Sequence, residues 1–564
     1  MGAAHTDSYD AKDASPPATP RLGPTAAAAG RASTSARDSA PSSHHRRRPS
    51  TVHPDTLLEN EDLCIIGGGT GCNAVVGAFA GAKRVSYCLP VSDDGGSTSE
   101  IQRVLGGPAL GDLRSRLVRL IPPAPPGSPL DCIRRLLEYR LPGGPNVSHA
   151  EVKQEWGDIV EGTHRLWRGI PGDRKETIRA FLVHFQSRIL KKAQRGFNFK
   201  KASIGNLFLS GASLFLGSVP SAVFLFQSVT GISHDAIRII PVINTSATVT
   251  IAAELEDGHI IAGQSEISHP SGGPPPLLGE GHAPPGREGE IAAPAVRATR
   301  TEAVFPLTRA TTPSFPEPPV LGAEEDESHA DWPPSPDMRL AVPTAVSADA
   351  WTPSRGSTAL PRPSDHLDFT KDAAEIPPLP SRIDRIFYLS SYGLEIHPRP
   401  NSLFLQALQD ATMLVFAPGS LFTSIVPCLA LRPVGTVIAH QLVRTRYKIL
   451  LLNSSEDRET AGFDALDFVL ALHEACRRSQ VVEEGPGGQR AGRQMQPCDI
   501  VTHVVYVRNG QIPVDEATLR RYGVVPVAVG PTPEGLFDDE VVRDALAQIL
   551  QTPCPSVPSL LDHS

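Results

Sequence analysis

Positive charge, aromatic side chains and closely paired cysteines are all in short supply in this sequence, and each shortage closes a class of function. Lysine and arginine number 53 against 61 aspartates and glutamates, a net charge of −8, so the charge balance gives no footing for nucleic-acid binding. Aromatic residues make up only 5%, too few to expect platforms on which bases stack. The eight cysteines include no Cys-x-x-Cys pair, and several stand inside apolar runs, where a thiol acts as a small hydrophobe. That pattern argues against a disulfide framework and a zinc site and for a reducing compartment. No apolar stretch follows Met1 in the manner of a secretory signal, and Asp7, Asp10 and Asp13 are out of place in an acid-poor organellar leader. The longest uncharged run, residues 202–233, is interrupted by Asn206, Pro220, Gln227 and several serines, so it reads as one or two buried helices and not as a membrane span. His234, His259, His397, His440 and His503 are scattered, and no nucleophile elbow is visible, which leaves covalent catalysis without a candidate. A cytoplasmic protein that engages neither nucleic acid nor membrane is the expectation.

Proline and glycine are plentiful instead, 55 and 48 of 564 residues, and they gather in blocks. Residues 1–56 and 552–564 read as disordered tails. Residues 269–381 read as a long disordered insertion and residues 479–497 as a shorter one, because such compositions bury too little apolar surface to offset the entropy of ordering. The remaining segments, 57–268 and 382–551, are expected to form a single α/β domain.

Within those segments short apolar strands alternate with helix-like stretches. Leu63–Ile66 is a strand, a glycine turn follows, Cys72–Ala80 is a helix and Arg84–Val91 is a second strand. Ile237–Val242, Ile383–Leu389, Met413–Phe416, Val437–Ala439, Lys448–Asn453 and Ile500–Arg508 read as further strands. Thr248–Leu255 and His259–Ser265 form a hairpin across Glu256-Asp257-Gly258. Residues 143–175 read as mixed turns, and Arg174–Lys192 as one long amphipathic helix. This alternation predicts a doubly wound, Rossmann-like α/β fold, its mostly parallel sheet covered by helices on both faces. In such sheets ligands bind beyond the carboxyl ends of the strands, where the topology switches.

Three loops directly follow predicted strands and would converge there. Gly67-Gly68-Gly69-Thr70-Gly71 can cradle phosphate, since glycines let the backbone approach and helix-start N–H groups point at an anion. Gly69–Ala74 also fits Gly-x-Gly-x-x-Ala, and Asp93 lies near the place of a ribose-binding acid, which keeps an NAD-dependent oxidoreductase open. Asp93-Asp94-Gly95-Gly96-Ser97, with its doubled acid before glycines, better suits carboxylates holding Mg²⁺ beside phosphates. Pro418-Gly419-Ser420, with Thr423 and Ser424, offers N–H groups and hydroxyls to phosphate. Asp112 and Arg114 open a helix with a carboxylate and a guanidinium, and Asn206 needs a partner inside its apolar run.

These motifs, with Gly111-Asp112-Leu113-Arg114, Gly205-Asn206-Leu207 and the Ala253–Ser265 hairpin, occur in the order seen in the CofD/YvcK family, and the sequence resembles that family over about residues 60–267 and 382–530. The long insertion and low-complexity tails give it the cast of a eukaryotic member. One branch of the family, the 2-phospho-L-lactate transferase CofD, moves a phospholactyl-type group from a guanosine diphosphate-linked donor to a hydroxyl of a deazaflavin precursor, with Mg²⁺. The other, the YvcK-type gluconeogenesis factor, binds UDP-sugars and affects carbon metabolism. The resemblance implies that Gly67–Gly71 and Pro418–Ser424 face a nucleoside diphosphate-linked ligand and that Asp94 and Asp112 hold the metal. Arg114 would stabilise the leaving group and Asn206 would line the pocket. A Mg²⁺-dependent transferase is thus the leading expectation and a non-catalytic nucleotide-sugar sensor the second; either leaves room for a homodimer.

Overall fold

Successive residues of a strand face opposite sides of its sheet, so a strand that is buried at every position must be covered on both. Among the described residues three strands are of that kind, and they form the centre of the main sheet. The computed structural model describes residues 58–69, 71–92, 95–192, 196–269, 377–440, 444–480 and 494–552. The tail 1–56, the bulk of the two expected insertions, residues 553–564, and Thr70, Asp93 and Asp94 lie outside the described residues.

In chain order the strands are β1 (Asp62–Ile66), β2 (Arg84–Leu89), β3 (Ile237–Pro241), β4 (Thr250–Leu255), β5 (Ile260–Ala262) and β6 (Ile383–Leu389). Then follow β7 (Glu395–Ile396), β8 (Met413–Phe416), β9 (Tyr447–Leu451), β10 (His503–Val507) and β11 (Val525–Val529). Seven of them make one sheet in the order β11-β10-β9-β8-β1-β2-β3, every neighbouring pair parallel. The fully buried strands are β1, β8 and β9. From β1 the chain winds outward through β2 to β3; it later returns to β8 on the other side of β1 and winds outward to β11. The topology therefore switches between β1 and β8. Ile66 pairs with both Cys88 and Phe416, so the loops after β1, β2 and β8 leave the sheet at one level.

Among the described residues seven α-helices occupy the stretch between β2 and β3: α1 (Gly96–Leu105), α2 (Gly111–Arg119), α3 (Pro129–Glu138), α4 (His149–Glu161), α5 (Gly172–Leu190), α6 (Ile204–Leu216) and α7 (Val219–Thr230). The uncharged run becomes α6 and α7, separated by Gly217, which takes the left-handed conformation (φ +66°) that ends α6. Among the described residues no single helix is long and apolar enough to cross a membrane. The seven described cysteines are free thiols, six of them buried.

The structure departs from the sequence reading in several places. The hairpin β4–β5 does form, but with β6 and β7 it makes a separate antiparallel sheet, closed by its own small apolar cluster of Ala252, Phe387 and Leu389. Val437–Ala439, read as a strand from its branched residues, lies inside the helix Val434–His440. That helix lies so close to the helix Ala465–Arg478 that a Cβ on Gly435 would stand 1.9 Å from the Cys476 carbonyl oxygen; packing overrides local propensity here. Within residues 143–175, α4 is a full helix started by a capping box of Ser148 and Glu151. Gly71–Phe79 is wound as 3₁₀ turns with a kink at Val75, not as a regular α-helix. The strand β11, absent from the strands read in the sequence, contains Pro526, which is tolerated because β11 is the edge of the described sheet. At the rims of the shorter insertion the chain is packed: Ser479 Oγ accepts the Gly435 N–H at 3.0 Å, and Met495 is buried.

His503 of β10 is 3% exposed, and burial pushes its imidazole down from 6.5 to about 4. The unfolded chain takes up this proton near pH 6.5 while the folded chain refuses it until about pH 4, so stability is full above 6.5 and falls as the pH drops through that window. In His503→Gln, the stability difference between pH 7 and pH 4 measured by urea unfolding is expected to shrink by up to about 3 kcal/mol relative to the parent.

Candidate functional site

At the switch point two loops meet backbone to backbone. A Cβ on Gly71 would lie 2.5 Å from the Pro418 carbonyl oxygen and 2.8 Å from Gly419 Cα. One on Gly67 would lie 2.9 Å from Ala417 Cβ, and one on Gly68 2.4 Å from Ser424 Oγ. Glycine is required at these places because no side chain fits between the turns. The pairing of β1 with β8 brings them together, so the glycine loop and the Pro-Gly-Ser loop line one crevice as their positions after strands imply.

The N-terminus of α2 closes a second side. Asp112 reaches across to the glycine loop, its Oδ1 accepting the Gly69 N–H at 2.9 Å. Its other oxygen, Oδ2, is buried and has no hydrogen-bond partner among the described residues. Burial raises the pKa of this carboxyl above the usual carboxylate range, against the pull of the Gly69 N–H and of Arg116 and Arg114. One helical turn further on, Arg116 is 0% exposed and holds the same loop from behind. Its guanidinium donates to the carbonyls of Gly68 (3.2 Å) and Cys72 (3.4 Å) and lies 4.7 Å from the centre of the Tyr87 ring. In the sequence Arg116 looks like one more charge on a charged helix, and only the fold shows its contact with the glycine loop. Arg114 points the other way: its Nε donates to Asn206 Oδ1 at 3.0 Å, and Asn206 Nδ2 donates to Ser97 Oγ at 2.9 Å. These two bonds tie α1, α2 and α6 together. Gly95 caps α1 and Gly96, at φ +54°, begins it.

The Pro-Gly-Ser loop is held by residues that carry no local signal in the sequence. Asn453, just past β9, accepts the Gly419 N–H at 3.0 Å and donates to its carbonyl at 2.8 Å. Glu459 is buried against the turn beyond it. One oxygen accepts the Ser420 hydroxyl (2.5 Å) and the N–H groups of Phe422 (2.9 Å) and Thr423 (3.2 Å). The other accepts the hydroxyls of Thr423 (2.8 Å) and Ser268 (2.5 Å). Burial and the neighbouring Asp457 push the Glu459 carboxyl upward, and the hydroxyl donors oppose them. Ser420 and Thr423 are thus turned toward an internal carboxylate, whereas Ser424 faces Gly68. Neither Asn453 nor Glu459 stands in a motif; only the pairing of β8 with β9 places Asn453 opposite the loop.

Of the residues singled out in the sequence, Gly67, Gly68, Gly69, Gly71, Asp112, Pro418, Gly419 and Ser424 converge on the crevice, and Ser97, Arg114 and Asn206 form a linked group beside it. Thr70, Asp93 and Asp94 lie outside the described residues, among which no cluster of three or more histidine, cysteine or acidic side chains is placed to hold a metal. Beside the glycine loop Asp112 offers an uncommitted carboxylate oxygen, and one carboxylate together with ligand phosphates is a common way for Mg²⁺ to be held.

Fold and site together define a doubly wound α/β protein whose glycine loops are gathered at the topological switch point. The chain belongs to the CofD family: the family model described as 2-phospho-L-lactate transferase CofD matches residues 63–529. It is 32% identical over 471 residues to YNL011C, an uncharacterized protein of Saccharomyces cerevisiae, covering 82% of this chain and 94% of the yeast protein. A protein of Aquifex aeolicus that carries the provisional name gluconeogenesis factor is 25% identical over 218 residues, 37% of this chain and 46% of its own length. Among solved structures, protein BH3568 of Bacillus halodurans superposes with a TM-score of 0.48 at 16% identity, over 86% of this chain and 99% of that one.

The contact between the loops yields a paired prediction. Gly71→Ala is expected to destabilise the protein by about 1–3 kcal/mol by overpacking. Gly157→Ala, inside α4 with no atom near its would-be Cβ, is expected to stabilise it by up to about 1 kcal/mol. Both are read from urea unfolding, and equal effects would show that the loop contact carries no weight. Arg116→Met strips two carbonyls of their donor and leaves Asp112 with less compensating charge, so a loss of about 2–4 kcal/mol is expected in the same assay.

Proposed function

We propose that this protein is a CofD-type transferase that binds a nucleoside diphosphate-linked donor and passes its phospho-organic group to a hydroxyl acceptor with the help of Mg²⁺. The observation that supports this reading most is the buried, unpartnered Asp112 Oδ2 at the switch-point crevice beside Gly68. A buried carboxylate oxygen with no donor is costly, and a bound cation beside a phosphate would relieve that cost. The glycine loop would take the phosphates on its backbone, and Arg114, fixed in direction by Asn206, would supply positive charge at the neighbouring wall. Asp112 would hold Mg²⁺, with Asp94 as the second carboxylate; the metal's part is to neutralise charge on the diphosphate. No covalent intermediate is needed, since positioning and charge neutralisation suffice for chemistry of this kind.

A second reading, a regulator that binds a nucleotide sugar without turning it over, draws on the relative named as a gluconeogenesis factor. Isothermal titration with GDP, UDP and NAD⁺, with and without Mg²⁺, separates the readings. GDP or UDP is expected to bind at least about tenfold tighter with Mg²⁺, and Asp112→Asn to lose that increment while keeping the metal-free affinity. Nucleoside diphosphate binding indifferent to Mg²⁺ would sink the metal assignment. Tight binding of NAD⁺ in place of the diphosphates would point to an oxidoreductase, and binding without release of nucleoside monophosphate from any linked donor to the regulator.

A further inference from the structure

Large apolar side chains that face solvent are normally scattered singly over a protein. Among the described residues ten do so, and five of them fall between Thr177 and His234: Val183, Leu190, Phe215, Leu216 and Phe224. The same 58 residues hold seven lysines and arginines and not one aspartate or glutamate, in a chain whose net charge is −8. The stretch covers most of α5 and all of α6 and α7. Exposed apolar surface and positive charge therefore coincide, and the acidity of the chain is carried elsewhere.

The three helices bring these groups together. Ala180, Val183, Ser187 and Leu190 follow one another along α5 at spacings of three, four and three, and all are exposed, so α5 turns an uncharged stripe to solvent. The helix α6 lies against α5, where a Cβ on Gly211 would stand 2.2 Å from the Phe181 carbonyl oxygen. At the end of α6 the Phe215 ring stands edge-on to Phe181 (5.6 Å) and to His184 (5.4 Å) of α5, yet remains 64% exposed. Arg174 of α5 donates to the Ser228 carbonyl oxygen at 3.0 Å, which ties the end of α7 to the same helix. One turn before Ser228, Phe224 stacks on His234 at 4.2 Å and is 59% exposed.

The positive charge lies beside this apolar surface. Arg188, Lys191 and Lys192 surround Leu190 in the chain, are exposed, and have no acidic partner among the described residues. Burial, and after it the charges of Arg188 and Lys191, lower the pKa of His184, which puts those two cations near the ring on which Phe215 packs. The acids that precede the stretch on α5 are engaged: Glu176 pairs with Arg179 at 3.0 Å, and Asp173 lies 3.9 Å from Arg174.

The composition of the face selects its occupant. Lysine is depleted from protein–protein interfaces, and a nucleic acid backbone would leave the exposed phenylalanines and leucines without a partner. Phenylalanine and leucine flanked by lysine and arginine on a helical surface is the make-up of helices that lie in a membrane interface. We propose that this face of α5, α6 and α7 docks on an anionic lipid surface, with Leu190 and Phe215 entering the headgroup region and Arg188, Lys191 and Lys192 meeting the lipid charges.

Co-sedimentation of the full chain with vesicles tests this, using phosphatidylserine and phosphatidylcholine in equal parts against phosphatidylcholine alone. The parent is expected to bind the mixed vesicles at least about tenfold tighter, and high salt to remove the difference. A cation near an anionic leaflet strengthens binding about fivefold, so Arg188→Gln/Lys191→Gln/Lys192→Gln is expected to lose about a hundredfold on the mixed vesicles. Leu190→Ser/Phe215→Ser is expected to lose at least about tenfold there while its remaining binding stays salt-sensitive. All five side chains are exposed, and melting temperature verifies the fold of both variants. No sedimentation with the mixed vesicles, or sedimentation that either variant keeps at the parent's affinity, overturns the proposal. Sedimentation velocity covers the competing occupant: a parent that self-associates, turns monomeric in Leu190→Ser/Phe215→Ser and leaves vesicles unbound assigns the face to a second copy of the chain and overturns the lipid surface.

Discussion

The crevice depends on two turns of backbone touching with nothing between them. Gly71 against Pro418 and Gly419, and Gly67 against Ala417, are contacts that any side chain would break. They are possible only because β1 and β8 are hydrogen-bonded neighbours that end at the same level, Ile66 beside Phe416. The sheet order is therefore not a background to the site. It is what brings the glycine loop and the Pro-Gly-Ser loop together across a long excursion of the chain.

Two buried carboxylates then fix those loops. Asp112 takes an N–H of one, Glu459 takes two N–H groups and two hydroxyls of the region around the other. They are not equivalent. Every lone pair of Glu459 has donors at hand, so it is a structural anchor that holds its turn in shape. Asp112 spends one oxygen on the loop and leaves the other bare, with Arg116 and Arg114 near enough to favour its charged form and burial opposing it. The difference between a satisfied and a half-satisfied carboxylate separates the part of the site that is scaffold from the part that awaits a partner.

What was legible in the sequence was what is local. Glycines directly after an apolar run, a carboxylate at a helix start and an asparagine stranded in an apolar helix each carry their signal within a few residues, and Gly67, Gly68, Gly69, Gly71, Asp112 and Asn206, which the fold gathers around the switch point, all stand out in that way. Arg116, Asn453 and Glu459 were not, because each acts across the fold on a loop from another strand, and nothing beside them in the chain announces it. The same logic explains the secondary-structure errors. The helix Val434–His440 carries branched residues that favour a strand and is held helical by packing, while β11 tolerates its proline as the edge of the described sheet. The capping box of α4 is the exception: Ser148 and Glu151 were a local signal that went unread.

Arg458 stands beside Glu459 and has its own arrangement. Its guanidinium donates to the carbonyls of Glu266 (2.5 Å) and Ile267 (2.6 Å) and to that of Pro377 (2.8 Å), the points where the chain departs before residue 270 and returns after 376. The pairing of β4 with β6 joins the same two stretches a few residues further in. Departure and return are thus pinned to each other by non-covalent bonds, independently of the peptide chain that links them. In terms of connectivity, the two halves are aligned at this junction by bonds between its rims, as an insertion point in a finished domain requires.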